Sequence, residues 1–157
     1  RCIIFCYDFS INEGENMKRL LSIAFLALLI SAFTFANEKI VSAEDLPQEA
    51  RDFITENFSG VNVNFVLQDN DDYEVMLMDG TEVEFDKKGN WEKVKNREKL
   101  PTSILPSEAS AYISKVYPGT DIIEIEKNWN KYDVKLANNW ELRFNKDGNF
   151  QKKEMDK

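Results

Sequence analysis

The sequence predicts an α+β protein made of two tandem repeats, each of one helix followed by a four-stranded antiparallel meander. Residues 46–94 align without a gap on residues 105–153, and YEVMLMDGTEVEFDKKGNW in the first copy corresponds to YDVKLANNWELRFNKDGNF in the second. Each copy opens with apolar residues at helical spacing and then changes to the alternation of a half-buried strand. The repetition and this change of period together predict the fold class.

The helix of each copy is predicted by the phrases LPQEARDFITENFSG and LPSEASAYISKVYPG, which begin at Leu46 and Leu105. Their apolar residues recur every three or four positions, as on the buried side of an amphipathic helix. Pro47 suits the first helical turn, where a missing N–H costs nothing. Gly60 suits the left-handed position that ends a helix, and the second copy repeats both residues.

Four short strands should follow each helix, and in the first copy they are predicted over 63–68, 73–78, 81–86 and 91–95. Asp79-Gly80 predicts a two-residue hairpin turn. Its counterpart Asn138-Asn139 adopts the same positive φ angles at a higher cost. One helix on four short strands makes a thin core for a unit of this size. The two copies should therefore pack together, and one continuous eight-stranded sheet would bury more surface.

The residues before the repeats indicate export. We predict a signal peptide over 17–36, with two basic residues, an apolar run and small residues ending at Ala36. An uncleaved anchor is the alternative, although the run is short for a membrane span. Residues 1–16 have the character of translated upstream sequence before a true start at Met17. The remaining chain is divided into repeat 1 (40–95), a connector (96–104) and repeat 2 (105–153).

Charge and residue inventory exclude several classes of function. The chain has 20 Lys and Arg against 28 Asp and Glu, a net charge of −8 and no histidine. Such a chain repels nucleic-acid phosphates and anionic lipid, so we expect no nucleic-acid partner and no membrane contact after signal cleavage. Without histidine, the chain lacks the commonest acid–base group. Cys2 and Cys6 precede Met17, so the exported chain also lacks thiolates and the usual zinc ligands. We predict a periplasmic or secreted protein that is not an enzyme and has no cofactor.

The repeated phrases resemble a known family. LPxxAxxFI, YEVxLxDGTEVEFDKKGNW and LPSEAxxYI look like those of the beta-lactamase-inhibitor-like, PepSY-like domain proteins of Gram-negative bacteria, over nearly all of residues 40–153. The resemblance implies an exported protein with a fold similar to that of beta-lactamase inhibitory protein, whose two helix-plus-sheet repeats grip a target enzyme through the sheet. It implies no catalytic residues, and it does not establish inhibition, because fold does not imply function.

Comparison of the two copies separates core positions from free ones. Both copies must bury the same side of the sheet, so positions apolar in both should be core: Val66/Ile125, Tyr73/Tyr132, Val75/Val134, Leu77/Leu136, Val83/Leu142, Phe85/Phe144 and Trp91/Phe150. On the other side, the first copy is apolar where the second is mostly charged: Phe65/Glu124, Leu67/Glu126, Met76/Lys135 and Met78/Ala137.

This apolar half allows two interpretations. In one, the protein covers it with residues 37–45, with the tail after Phe150 or with a second copy in a homodimer. In the other, it binds a protein or peptide, since large exposed apolar patches are rare on monomers and Met-rich ones adapt to partners. Glu82 and Glu84 would then form an acidic rim that selects basic partners, and Trp129, in a predicted hairpin loop, would be a peripheral anchor. Inhibition of an envelope or secreted hydrolase is one form that such binding could take.

An acidic loop suggests an alternative function. Asp69, Asp71 and Asp72 offer hard oxygen ligands, as a calcium-responsive or other small-ligand sensor of the cell envelope would require. The spacing does not match the twelve-residue calcium loop, since Tyr73 already begins a strand. The second copy also has a cation, Lys131, where a site would need an anion. A solvated hairpin turn is the simpler interpretation.

Overall fold

Nine strands follow one another in chain order across a single antiparallel sheet in the computed structural model, which describes residues 38–70 and 72–155. The strands are β1 Lys39–Val41, β2 Val63–Asp69, β3 Asp72–Leu77, β4 Glu82–Phe85, β5 Trp91–Lys95, β6 Ile122–Asn128, β7 Lys131–Leu136, β8 Trp140–Asn145 and β9 Phe150–Met155. The helices are α1 Gln48–Asn57 and α2 Ser107–Val116, and short 3₁₀ turns span Ala43–Asp45 and Thr102–Ile104.

The predicted signal peptide, 17–36, and the sixteen residues before it lie outside the described residues. Within the described part of the chain, neither helix has the length and apolar character that crossing a membrane requires.

The two sequence copies meet in the middle of the sheet. β5 pairs antiparallel with β6, with Val94 opposite Ile125, so the eight predicted strands form one continuous sheet. A ninth strand, β1, was not predicted, because three residues are too few for an alternating pattern to show. β1 pairs with β2 as β5 pairs with β6, and Val41 lies opposite Val66. Each copy thus has a strand beside its first strand, supplied by the segment that precedes it.

The core lies between the two helices and the side of the sheet that they cover, here called the inner face. Ten strand positions predicted as core are almost fully buried: Val66, Val75, Leu77, Val83, Phe85, Ile125, Val134, Leu136, Leu142 and Phe144. Val94 and Ile122 are buried with them. Of the other predicted core residues, Tyr73, Tyr132 and Trp91 are only partly buried against this core. Phe150 is 37% exposed because β9 is the last strand of the sheet. Its ring instead stacks on Tyr112 of α2, with centroids 4.6 Å apart.

The β4–β5 turn packs against the start of α1. Gly89 has a φ of +87°, and a Cβ there would lie 2.8 Å from Cβ of Pro47 and 2.9 Å from the nitrogen of Ala50. Gly148, in the β8–β9 turn, meets the start of α2 in the same way. Because a side chain fits neither the backbone angle nor the space, glycine lets each helix close onto its own meander.

The β3–β4 hairpin differs from the prediction of a two-residue turn. The N–H of Gly80 donates to the carbonyl of Leu77 at 3.1 Å, and the N–H of Leu77 donates to that of Thr81 at 2.8 Å, which leaves three residues in the loop. Gly80 has a φ of +82°, and Asn139 takes the equivalent position at +65°. This loop needs one left-handed residue, whereas the predicted two-residue turn needs two, and aspartate adopts that conformation less readily than glycine.

A buried polar pair fixes the connector between the copies. Nδ2 of Asn96 donates to Oγ1 of Thr81 at 2.8 Å, and both side chains are buried. Oδ1 of Asn96 accepts from the N–H of Glu98, and its own N–H donates to the carbonyl of Ile123. These contacts lead the chain from β5 towards α2 in a defined path.

Candidate functional site

The outer face, the side of the sheet opposite the helices, carries the apolar residues predicted to bind a partner. Phe65 lies opposite Met76, and a register shift between Val63 and Phe65 explains why Val63 faces inward instead. Phe65, Leu67 and Met76 are partly buried by one another and their neighbours. Met78 follows β3 in the hairpin loop and is 66% exposed. The structure therefore brings the four predicted residues, Phe65, Leu67, Met76 and Met78, to one end of the sheet. This part of the outer face is here called the apolar end.

The described residues do not cover this end of the outer face. Lys39–Val41 extends the sheet edge as β1, and it places Ile40 opposite Leu67 with 76% of its side chain exposed. The tail that begins at Phe150 forms β9 at the opposite end of the sheet. Two of the three segments predicted to cover the apolar residues therefore do not cover them in the described chain. The β1 segment adds apolar surface, and the tail after Phe150 lies at the far end of the sheet. The homodimer stays a prediction.

Glu82 and Glu84 point to the outer face of β4, next to the apolar end, but they are not equivalent. Glu82 accepts from Nζ of Lys95 at 2.7 Å. Glu84 lies opposite Glu74 on β3 and opposite Lys93 on β5. The Lys93 ammonium pairs instead with Glu124 at 2.8 Å. Glu74 and Glu84 therefore face each other as like charges across the ladder, an arrangement that destabilises a sheet.

Two carboxyl groups of this region have raised pKa values. Partial burial raises the pKa of Glu74, and the neighbouring carboxylates of Glu82 and Glu84 raise it further. Partial burial likewise raises the pKa of Glu92, with added repulsion from nearby acids. The rise means that the fold disfavours the charged form of both groups, as it would where negative charge is concentrated and incompletely balanced.

Two shallow cavities connect the acidic residues with the rest of the outer face. The first, of about 210 Å³, is lined by Glu38, Leu67, Asp69, Asp72, Tyr73, Glu74, Glu84, Phe85 and Glu92. The second, of about 380 Å³, is lined by Glu84, Glu92, Lys93, Glu126, Lys127, Asn128 and Trp129. Since Glu84 and Glu92 line both, the two cavities form one continuous surface. Trp129, at the tip of the β6–β7 hairpin, is 98% exposed beside it.

In the second half of the outer face, Asp133 is paired with basic neighbours. Asp133 on β7 accepts from Nε of Arg143 on β8 and from Nζ of Lys131, each at 2.5 Å. Burial alone would raise the pKa of Asp133, but these two hydrogen bonds and charges hold it below its usual range. Asp133 is therefore neutralised by its neighbours, whereas Glu74 in the first half lies opposite another carboxylate. Acidic residues also occur in the second half, where a further cavity is lined by Glu124, Glu126, Asp133, Lys135 and Glu141.

The acidic loop is a hairpin turn in which Asp69 lies opposite Asp72 and Asn70 adopts a φ of +54°. Asp71 lies outside the described residues. Among residues 38–70 and 72–155, no three side chains of Asp, Glu, His or Cys come close enough together to ligate one metal ion. The oxygen donors are of the type that calcium prefers, but their arrangement does not form a coordination shell.

Sequence reasoning missed three residues of this surface: Ile40, Glu74 and Glu92. Glu74 alternates with Tyr73 and Val75, so the parity argument that selected Met76 could have found it. Glu92 is the extra residue of a bulge in β5, between Trp91, which lies opposite Phe85, and Lys93, which lies opposite Glu84. The pattern of residues does not reveal such a bulge. Ile40 was missed together with its strand.

Comparisons with known proteins agree with this architecture. Residues 71–152 match a family described as "Putative beta-lactamase-inhibitor-like, PepSY-like". The crystal structure of a putative calcium-regulated periplasmic protein from Bacteroides thetaiotaomicron is 34% identical, with a TM-score of 0.70, over 75% of this chain and 97% of that chain. No curated protein matches the chain.

Two further crystal structures are of putative periplasmic proteins from Bacteroides vulgatus. Each is 30% identical to this chain with a TM-score of 0.69. One is matched over 76% of this chain and 98% of that chain, and the other over 75% and 99%. The periplasmic location of these relatives agrees with the predicted export of this protein.

Proposed function

The chain belongs to the beta-lactamase-inhibitor-like, PepSY-like family, and on this premise we propose that it is a non-enzymatic binding module that recognises a protein or peptide through the outer face of β1–β4. It acts outside the cytoplasm, as a periplasmic or secreted protein. Inhibition of an envelope or secreted hydrolase is the form of binding that the family description suggests.

The exposed apolar end of the outer face is the observation that carries this proposal. Ile40 and Met78 expose most of their side chains beside the partly buried Phe65, Leu67 and Met76. Contiguous apolar surface of this kind marks interaction sites on soluble proteins, and methionine adapts its shape to different partners. The inner face beneath it shares one buried core with Ala50 and Ile54 of α1.

Binding accounts for this surface better than catalysis does. The chain has no histidine, and its exported part has no cysteine, so the commonest acid–base group and the thiolate nucleophile are missing. The carboxylates of the outer face lie on an open sheet, beside shallow cavities that do not enclose a substrate. These features favour recognition of a partner through contact area and surface charge over catalysis.

A matched pair of substitutions tests the proposal. Met78→Glu places a charge in the apolar end of the outer face, whereas Ala137→Glu places the same charge at the equivalent loop position of the second copy. Both sites are exposed, so both variants should fold with melting temperatures close to that of the wild type. We expect Met78→Glu to weaken partner binding about tenfold or more, as for a contact inside an interface, and Ala137→Glu to leave it unchanged.

The partner would first be isolated from the host's envelope and secreted fractions, and then purified and titrated against the three forms of the protein. Equal affinity for the wild type and both variants would contradict the proposal. If the partner is a hydrolase, its activity in the same titration shows whether binding inhibits it.

A calcium-responsive sensor is the second candidate, and the relative from Bacteroides thetaiotaomicron favours it, since that protein is described as calcium-regulated. The carboxylates around the first cavity, among them Asp69 and Asp72 of the acidic loop, are suitable donors. Calcium would have to draw these side chains closer together than they are, because the described residues form no ready coordination shell.

Thermal unfolding in millimolar calcium tests this candidate. A ligand that binds only the folded state stabilises it by an amount set by its excess over the dissociation constant. We expect calcium to raise the melting temperature more than equal concentrations of magnesium, and Asp72→Asn to reduce the effect. An unchanged melting temperature at millimolar calcium would exclude the sensor function.

A further inference from the structure

Building on the proposed binding function, we propose that the partner presents an extended, lysine- or arginine-rich segment, which lies across the outer face from the apolar end at Leu67 to Trp129. The proposal goes beyond the exposed apolar end, because it joins that end, the acidic residues and Trp129 into one recognition surface and gives the chemistry of its occupant.

Charge complementarity is the first argument. The lining of the first cavity contains six carboxylates, those of Glu38, Asp69, Asp72, Glu74, Glu84 and Glu92, and the residues described there include no lysine or arginine. The nearest basic residues balance these acids only in part, since each also has another partner. Lys93 pairs with Glu124 and Lys95 with Glu82, and the Lys127 ammonium lies 4.9 Å from the centroid of the Trp91 ring. The pKa of Glu74 is still raised with the Lys95 charge nearby. A cationic ligand would reduce the repulsion between Glu74 and Glu84, so binding and relief of repulsion would reinforce each other.

Apolar surface at both ends argues for a polypeptide over a small cation. Leu67 lies in the wall of the acidic cavity beside exposed Ile40, and Trp129 stands at the far end of the second cavity. A lysine or arginine side chain lays its aliphatic stem on apolar surface and keeps its charge at the end. Alternating cationic and apolar residues would therefore match this surface, whereas an inorganic cation would leave Leu67 and Trp129 exposed.

The dimensions suit a short extended segment. β2, which carries Leu67, and β6, which leads to Trp129, are four strand spacings apart, or roughly 19 Å. About six residues of extended chain at about 3.3 Å each cover that length. Glu74, Glu84 and Glu92 lie on the strands between, so the cationic residues would stand in the middle of the segment and the apolar ones towards its ends.

Selection from a phage-displayed library of random decapeptides against the exported protein tests the proposal without a known partner. We expect the enriched peptides to contain more lysine and arginine than the library. A synthetic enriched peptide should bind the Glu74→Gln, Glu84→Gln, Glu92→Gln variant about tenfold more weakly, since charge pairs across an interface contribute strongly to affinity. Trp129→Ala should also weaken binding. The wild-type affinity should fall as salt is added.

A control variant separates local complementarity from net charge. The control is the triple variant Glu49→Gln, Glu56→Gln, Glu98→Gln. It also removes three negative charges, but from exposed positions on α1 and the connector, away from the outer face. It should bind the peptide as the wild type does. Equal weakening by both triple variants would overturn the proposal in favour of non-specific attraction.

The remaining outcomes distinguish this inference from the proposed function. Enriched peptides that lose binding to Met78→Glu but show no excess of cationic residues would overturn the inference and leave the binding function standing. Another outcome is that cationic peptides are enriched and bind the acidic-site variant more weakly, yet bind Trp129→Ala as they bind the wild type. That result would overturn the claim that the surface extends to Trp129. Failure to enrich any peptide that depends on either Met78 or the three acidic residues would count against both.

Discussion

At the scale of single residues, Glu74 shows that the outer face is not arranged for maximal stability. Its carboxylate lies opposite that of Glu84, although either residue could be replaced without disturbing the inner face, to which neither contributes. Natural proteins commonly keep unfavourable arrangements of this kind where function requires them. Partial burial is the main cause of the raised pKa of Glu74, and repulsion from Glu82 and Glu84 adds to it.

Glu74→Gln should therefore stabilise the protein at neutral pH by about 0.5 kcal/mol, the usual size of a cross-strand charge effect. Because the pKa is raised in the folded state, ionised Glu74 destabilises the fold above that pKa, and protonation removes the penalty as the pH falls through it. The gain should be largest at pH 7 and small near pH 4, as measured by urea unfolding. Glu49→Gln, an exposed change on α1, serves as the control. A gain of equal size at both pH values would show that charge repulsion is not its cause.

Single residues also mark the limit of what the sequence could predict about the site. The outer-face positions of Phe65, Leu67 and Met76 follow from alternation, and comparison of the copies set them apart from the core. Alternation places Glu74 on the same face, but a single acid on a solvated face does not indicate a site. Its significance follows from the residue opposite it, Glu84, which the structure identifies. Whether any of these residues binds a partner stays a prediction, because binding depends on surfaces outside this chain.

At the scale of elements, both helices were predicted, and the short or irregular elements were not. Each helix is shorter than the phrase that predicted it: α1 ends at Asn57, before the glycine expected to end it, Gly60. Pro47 lies immediately before α1, one position outside the first turn in which it was expected. Helix boundaries are readable because apolar spacing, proline and glycine all act locally. β1 and the path of the connector depend on distant partners instead, Val66 for the strand and Thr81 for Asn96, and local sequence does not encode such pairings.

The edge strand β9 differs from its counterpart β5 at an inward-facing position of the ladder. Val94 on β5 is buried between Val83 and Ile125, and its counterpart in the second copy is Lys153 on β9. Lys153 lies opposite Leu142, an inward-facing position, and its ammonium sits 4.5 Å from the centroid of the Trp140 ring. An inward-pointing lysine on an edge strand is a known protection against pairing with another sheet.

Lys153→Val should weaken that protection, because it restores the apolar residue that pairs two copies at β5. We expect the variant to self-associate more strongly than the wild type, with a mass in sedimentation equilibrium that rises with concentration. Lys146→Val makes the same exchange in the exposed β8–β9 turn and should leave the mass unchanged. If Lys153→Val matches the wild type at all concentrations, then Lys153 does not limit edge pairing.

At the scale of the whole molecule, contacts across the middle of the sheet join the two copies into one continuous structure. The Trp91 ring of the first copy lies 6.2 Å from that of Tyr132 in the second, measured between centroids. The N–H of Leu100 donates to the carbonyl of Ile122 at 2.8 Å, and Lys93 bridges to Glu124. Separating the halves would expose the β5–β6 edges and break these contacts together. The repeat is thus a way to build one larger core from a unit that is too thin alone.

This coupling predicts that equivalent cavities in the two halves destabilise the same transition. Val75→Ala and Val134→Ala remove the same atoms from fully buried, matching positions, and each should cost about 2 kcal/mol. Calorimetry should show one heat-absorption peak for the wild type, shifted to lower temperature as a whole in either variant. Independent halves would instead give two overlapping transitions, of which Val75→Ala moves one and Val134→Ala the other. That result would mean that the β5–β6 pairing joins the halves in space without coupling their stability, and that binding at the outer face of β1–β4 could not be transmitted to the second half.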